Sequence, residues 1–115
     1  MKKILICTDH ETLADAVSGW LENRDCKTYR VVGEAGKVKG RVNAAVRRFN
    51  PDILITSYRT PIDAHREIIA EEAKRTKQDI SAYALCGHPD AYNQDYKVFP
   101  DIRAIFNEIG VAEAA

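Results

Sequence analysis

PDILITSYRTP, residues 51–61, decides the fold: three consecutive large aliphatics, Ile53, Leu54 and Ile55, run into Thr56 and Ser57 and then a turn closed by Pro61. An apolar run of this kind, without polar alternation, is the pattern of a strand buried on both faces, as in parallel sheets covered by helices. The same grammar repeats on either side. Upstream, Lys3 to Cys7 is a short apolar strand, followed by a helix over Glu11 to Glu22 whose apolar face is Leu13, Ala16, Val17, Trp20 and Leu21, with Thr8 or Asp9 expected to cap its start. A strand over Tyr29 to Val32 closes at Gly33, and a helix over Lys39 to Phe49 stops at Asn50-Pro51.

Downstream, the pattern predicts a helix from about Ile62 to Thr76 with Ala64, Ile68, Ile69 and Ala73 inside, then a strand over Ile80 to Leu85. A short strand over Tyr96 to Phe99 and a helix over Asp101 to Ile109, stopped by Gly110, complete the chain. Strands alternate with helices throughout, which is the signature of the doubly wound α/β class. The expected architecture is a five-stranded parallel sheet in the order 2-1-3-4-5, formed by one domain over residues 1–115. In such sheets ligands gather at the carboxyl ends of the strands. Here those ends carry Thr8, Asp9 and His10, then Ser57 and Tyr58, then Cys86, Gly87 and His88.

Composition narrows the function classes. The 115 residues balance 17 Lys plus Arg against 17 Asp plus Glu, so no global field draws the chain to nucleic acid or to an anionic membrane. The apolar run near the start, Ile4 to Cys7, is too short for a signal peptide or a membrane span, and the expected compartment is the cytoplasm. Three cysteines, Cys7, Cys26 and Cys86, form no pairing pattern and read as reduced thiols, with Cys7 a buried structural one.

ILICTDHETL, VVGEA, PDILITSYRTP and DYKVFPDIRAIFNEI together resemble the receiver domain of bacterial response regulators, in particular the nitrate-regulator subfamily, over nearly the whole chain. The resemblance implies a flavodoxin-like fold and a phosphorylation site at the strand ends, and this sequence departs from that site. Where the family has two acids after strand 1, here stand Thr8 and Asp9; where it has the phosphoacceptor aspartate, four residues before the turn proline, here stands Ser57. The switch hydroxyl position holds Cys86, and Phe99 precedes Pro100 where the family has lysine, with Lys97 two positions early. The interval from Cys86 to Pro100 is short for the family, implying a reduced fourth helix.

A receiver accepts phosphate because a carboxylate nucleophile, a Mg²⁺ held by acids and a lysine meet in one pocket. Ser57 would need an adjacent base, for which Asp9 and His10 are the candidates. The expected function is therefore a non-enzymatic, phosphorylation-independent regulatory module that acts by contact with a protein partner, with no cofactor and with a homodimer as one form of that contact. Tyr83, Tyr92, Tyr96, Lys97 and Phe99 are the candidate contact residues. An alternative is a small-molecule or metal sensor that draws on the pocket among Asp9, His10, Ser57, Cys86 and His88, with Asp9, His10, Cys86 and His88 as its metal-ligand candidates. A third is nucleic-acid association through the basic stretch Lys37, Lys39, Arg41, Arg47 and Arg48, a pattern that is more often a solvated helix face.

Overall fold

A computed structural model describes residues 2–57, 63–85, 97–99 and 101–111, and for residues 35, 63–68 and 97–99 the backbone alone. Four strands of five or six residues, β1 (Lys3–Thr8), β2 (Lys27–Val32), β3 (Ile53–Ser57) and β4 (Ser81–Leu85), lie in the order β2-β1-β3-β4. The three-residue β5 (Lys97–Phe99) joins in parallel at the free side of β4, with Phe99 opposite Leu85. Helices α1 (Glu11–Glu22), α2 (Lys39–Phe49), α3 (Asp63–Thr76) and α4 (Ile102–Glu108) link and cover these strands. The doubly wound α/β architecture is the expected one.

Side-chain alternation along the strands divides the core in two. Ile4, Ile6, Ile53 and Ile55 point to one face and meet Ala14, Val17 and Leu21 of α1 with Ile105 and Phe106 of α4. Leu5, Cys7, Val31 and Leu54 point to the other and meet Val42, Ala45 and Val46 of α2 with Ile69 and Ala73 of α3. The period of two in the strands and of 3.6 in the helices thus sorts one apolar chain into two layers. Each fully buried Leu or Ile contributes about 1.5–3 kcal/mol by leaving water.

The ends of the elements have local causes. Asn50 adopts a left-handed conformation (φ 52°) and donates its N–H to the Val46 carbonyl, so α2 terminates where Pro51 would forbid its continuation. Gly110 (φ 76°) ends α4 in the same way. Gly33 (φ 153°) follows β2 so closely to Val38 that a Cβ would stand 2.8 Å from its Cγ1. Asp101 caps α4 by accepting the Ala104 N–H.

Four expectations are corrected. The cap of α1 is His10, not Thr8 or Asp9: its Nδ1 accepts the Leu13 N–H at 3.1 Å, one residue nearer the helix than the acid. Ala16 is exposed, because the buried face of α1 is carried by Ala14, Val17, Ser18 and Leu21. Strand β2 begins at Lys27, two residues before the predicted start, because its register partner Lys3 is already in β1. It is also not a doubly buried run: as the outermost strand it leaves Lys27, Tyr29 and Arg30 exposed. The remaining boundaries differ by at most one residue, and the predicted short fourth-helix interval, with Ala64 and Ile68, lies outside the described residues or side chains.

Candidate functional site

Parallel strands deliver their carboxyl ends to one edge of the sheet, and there β1 and β3 stand in register, Thr8 beside Ser57. Thr8 is fully buried and is held from two sides. Its carbonyl accepts the Gly33 N–H at 3.0 Å, and its Oγ1 accepts the His10 N–H at 3.1 Å. Ser57, half-buried, is the last residue of β3.

Asp9 follows Thr8 in the turn between β1 and α1. Its carboxylate oxygen Oδ1 is buried and accepts no hydrogen bond among the described residues. A carboxylate oxygen without a donor is costly, since water has been taken from it and nothing returned. His10 is already committed: with Nδ1 accepting from Leu13, the neutral ring carries its proton on Nε2. Of the two candidate bases for Ser57, then, one spends its basic nitrogen on a helix cap.

The receiver family that the sequence resembles holds Mg²⁺ in this place, and among the described residues the donor set does not fit it. Thr8 and Ser57 offer neutral hydroxyls, and Asp9 supplies a single carboxylate; Mg²⁺ gives up hydration water reluctantly and relies on carboxylates to offset that cost. Among the described residues no group of three or more His, Cys, Asp or Glu side chains is placed to hold a metal ion. Cys86 and His88, the remaining sensor candidates, lie outside the described residues, as do Tyr58, Gly87, Tyr92 and Tyr96.

The other candidates are placed as follows. Tyr83 of β4 is half-buried against the α1/α4 layer of the core. Lys97 and Phe99 form the two ends of β5, backbone-paired with Tyr83 and Leu85. Cys7 is fully buried between the sheet and α2, and burial pushes its thiol far above its ordinary range, so it stays protonated. Cys26 is also buried, with its thiol shifted up by the same desolvation.

No protein-family profile and no curated protein matches the chain. Solved structures do. CpaE, a pilus assembly protein of Burkholderia thailandensis, superposes with a TM-score of 0.69 at 16% identity, over 96% of each chain. The response regulator TrrA of Thermotoga maritima, bound to Mg²⁺ and beryllofluoride, gives 0.62 at 18% identity, over 96% of this chain and 94% of that one. The CheY-like protein TadZ of Pseudomonas aeruginosa gives 0.65 at 10% identity, over 100% and 98%. The fold is that of a receiver domain. Within the receiver fold, Ser57 occupies the carboxyl end of the third strand, beside the end of the first, where the sheet geometry opens a site.

What the sequence did not single out is a groove of about 390 Å³ between β2 and α2, lined by Tyr29, Val31, Arg41, Ala44, Ala45, Arg48 and Phe49. The signal for it is the small pair Ala44-Ala45 set between two arginines on one helix flank.

Proposed function

We propose that this chain is a receiver-like regulatory module that acts by protein contact and without phosphorylation. The observation that carries the proposal is the pairing of Thr8 with Ser57: two hydroxyls stand where phosphoryl chemistry needs carboxylates. A serine hydroxyl has to lose a proton to attack, and His10, two residues after Thr8, uses its basic nitrogen to accept from Leu13. Without a phosphoryl group to tip it, a receiver fold has no reason to shift between two states. Its use then rests on the surface it presents.

Two neighbours in structure support a role in assembly with proteins. One is named for pilus assembly, and the response regulator TrrA is also seen in complex with the histidine kinase ThkA, a structure that superposes on this chain with a TM-score of 0.65 at 16% identity. The reading extends to a protein partner, a cytoplasmic site and a homodimer as one form of the contact. Among the described residues no helix is long and apolar enough to cross a membrane.

The test is incubation with acetyl phosphate and Mg²⁺, read by intact mass, beside beryllofluoride titration read by amide NMR. The expected result is an unchanged mass and unchanged Thr8, Asp9 and Ser57 amides. A gain of one phosphoryl group mapped to Ser57 would sink the proposal. A second reading, a cation sensor, has the unpaired Asp9 Oδ1 behind it. Zinc or Mg²⁺ titration would favour it if thermal stability rose with metal and the rise vanished in Asp9→Asn.

A further inference from the structure

The outer side of β2 is a free sheet edge, since β2 is the terminal strand in the order β2-β1-β3-β4-β5. Lys27 and Gly33 direct their N–H groups to the Lys2 and Thr8 carbonyls, toward β1. By strand alternation the backbone groups of Thr28, Arg30 and Val32 therefore point outward. The Val32 carbonyl is already taken, by Arg41 Nη1 at 2.9 Å. The peptide groups of Thr28 and Arg30 remain open to a new strand.

Along this edge runs the groove between β2 and α2. Arg41, Ala44, Ala45, Arg48 and Phe49 recur at helical spacing on one flank of α2, and the two alanines between the arginines lower the floor. The arginine Cα atoms lie two turns apart, about 10.5 Å along the axis. Tyr29 closes the groove from the strand side, 5.8 Å from the Phe49 ring, and at 50% exposure it is the one large apolar side chain left exposed among the described residues. No carboxylate lines the groove, and α2 contains none. The nearby acids all have partners: Glu34 pairs with Lys37, Asp52 with the Lys3 N–H and Lys77, Asp15 with the Arg30 guanidinium, and Glu22 accepts from the Thr28 hydroxyl. Arg48 makes no hydrogen bond or ion pair among the described residues.

From this juxtaposition we propose that the β2 edge and the Arg41–Arg48 groove bind an acidic, extended peptide segment of a partner protein. The segment adds as a strand beyond β2, placing its carboxylates on the two guanidinium groups and an apolar side chain between Tyr29 and Phe49. Strand addition satisfies both open N–H and open C=O groups at the strand repeat, whereas a DNA backbone offers phosphate acceptors and no donors for the Thr28 and Arg30 carbonyls. A second copy docked edge to edge would face Lys27, Arg41 and Arg48 with their own like charges. This inference rests on the reading of the chain as a protein-contact module and names the surface and the chemistry of the contact.

The experiment is an amide NMR titration of the full chain at low salt with an acetylated octapeptide in which threonine alternates with three glutamates and one leucine. Alternation gathers every carboxylate on one face of the strand, so each register that turns this face to α2 presents carboxylates to the groove. Expected are shifts confined to β2 and α2, centred on Thr28, Arg30 and Arg48. The affinity should fall at least about fivefold in Arg48→Glu, and steeply with added salt. The same peptide N-methylated at alternate amides should not bind.

The proposal is overturned if millimolar peptide leaves β2 and α2 unmoved, or if the N-methylated peptide binds as well as the parent. It is equally overturned if oligothymidylate or ADP displaces the peptide and binds the groove more tightly, or if the β2 amides shift with protein concentration alone, which would make a second copy the occupant. Mg²⁺ and beryllofluoride added to the same sample separate the two claims: shifts at Thr8, Asp9 and Ser57 would defeat phosphorylation independence and leave the groove result standing.

Discussion

Thr8 of β1 and Ser57 of β3 are register partners at the carboxyl ends of adjacent parallel strands, with the buried, unpaired Oδ1 of Asp9 one residue beyond. A carboxylate introduced at Ser57 adds a second negative charge to the strand ends that already carry Asp9.

Ser57→Asp is accordingly expected to lower stability at pH 7 by about 1 kcal/mol through repulsion with Asp9. Millimolar Mg²⁺ should restore the loss, because two carboxylates can share a divalent ion where one cannot hold it. Thermal melts of wild type and Ser57→Asp, each with and without Mg²⁺, check this. An equal Mg²⁺ response in the two proteins would show that the wild-type site already binds the ion.

His10 serves α1 rather than the strand-end site. Removing its Nδ1 in His10→Ala leaves the Leu13 N–H without its partner, a loss of about 1 kcal/mol, while His10→Asn, a good capping residue, should retain most of the stability. Urea unfolding of the two variants distinguishes a cap from a catalytic imidazole: if Asn and Ala cost the same, the cap is not what His10 contributes.

Trp20, the single tryptophan, stacks on Phe106 of α4 with centroids 3.9 Å apart and planes within 5°, and carries the Arg24 guanidinium on its ring. The stack joins the two helices of one layer. Phe106→Ala is expected to cost about 3–5 kcal/mol. It should also shift tryptophan emission to the red in the folded state, as water reaches the uncovered ring. An unshifted spectrum would mean that the ring is covered by other groups.

Burial raises the Cys7 thiol in the folded chain above its ordinary value near 9.0. The unfolded chain therefore releases this proton first, and above about pH 9 the folded state binds more protons than the unfolded one. The stability that Cys7 contributes is complete below pH 9 and declines above it, with a slope of up to about 1.4 kcal/mol per pH unit. Other groups titrate in the same range, so the measurement is the difference between wild type and Cys7→Ala in urea midpoints across pH 7 to about 10.5. Parallel curves for the two proteins would refute the assignment.

Much of the fold was legible because local patterns and tertiary demands agree. The bounds of α1 and α2 were read to the residue from Glu11, Glu22, Lys39 and the Asn50-Pro51 stop. Strand β2 was read too short and too apolar, since Lys27, Thr28 and Tyr29 do not resemble a buried run. They belong to the sheet because β1 offers Lys3, Ile4 and Leu5 as partners, a relation between residues more than twenty positions apart. The cap of α1 was misplaced because Thr8, Asp9 and His10 all carry acceptors, and which one meets the Leu13 N–H depends on where the chain leaves β1.

By itself, the sequence determined the alternation of strands and helices, the two-faced burial of β1 and β3, and the hydroxyl rather than carboxylate at position 57, because each is a property of residue type and spacing along the chain. Tertiary structure alone decided that Thr8 is the neighbour of Ser57, that His10 is spent on a helix, and that Tyr29, Phe49, Arg41 and Arg48 share one groove. Those relations exist only once parallel crossovers bring distant segments side by side, and no periodicity along the chain encodes which segment becomes the neighbour of which.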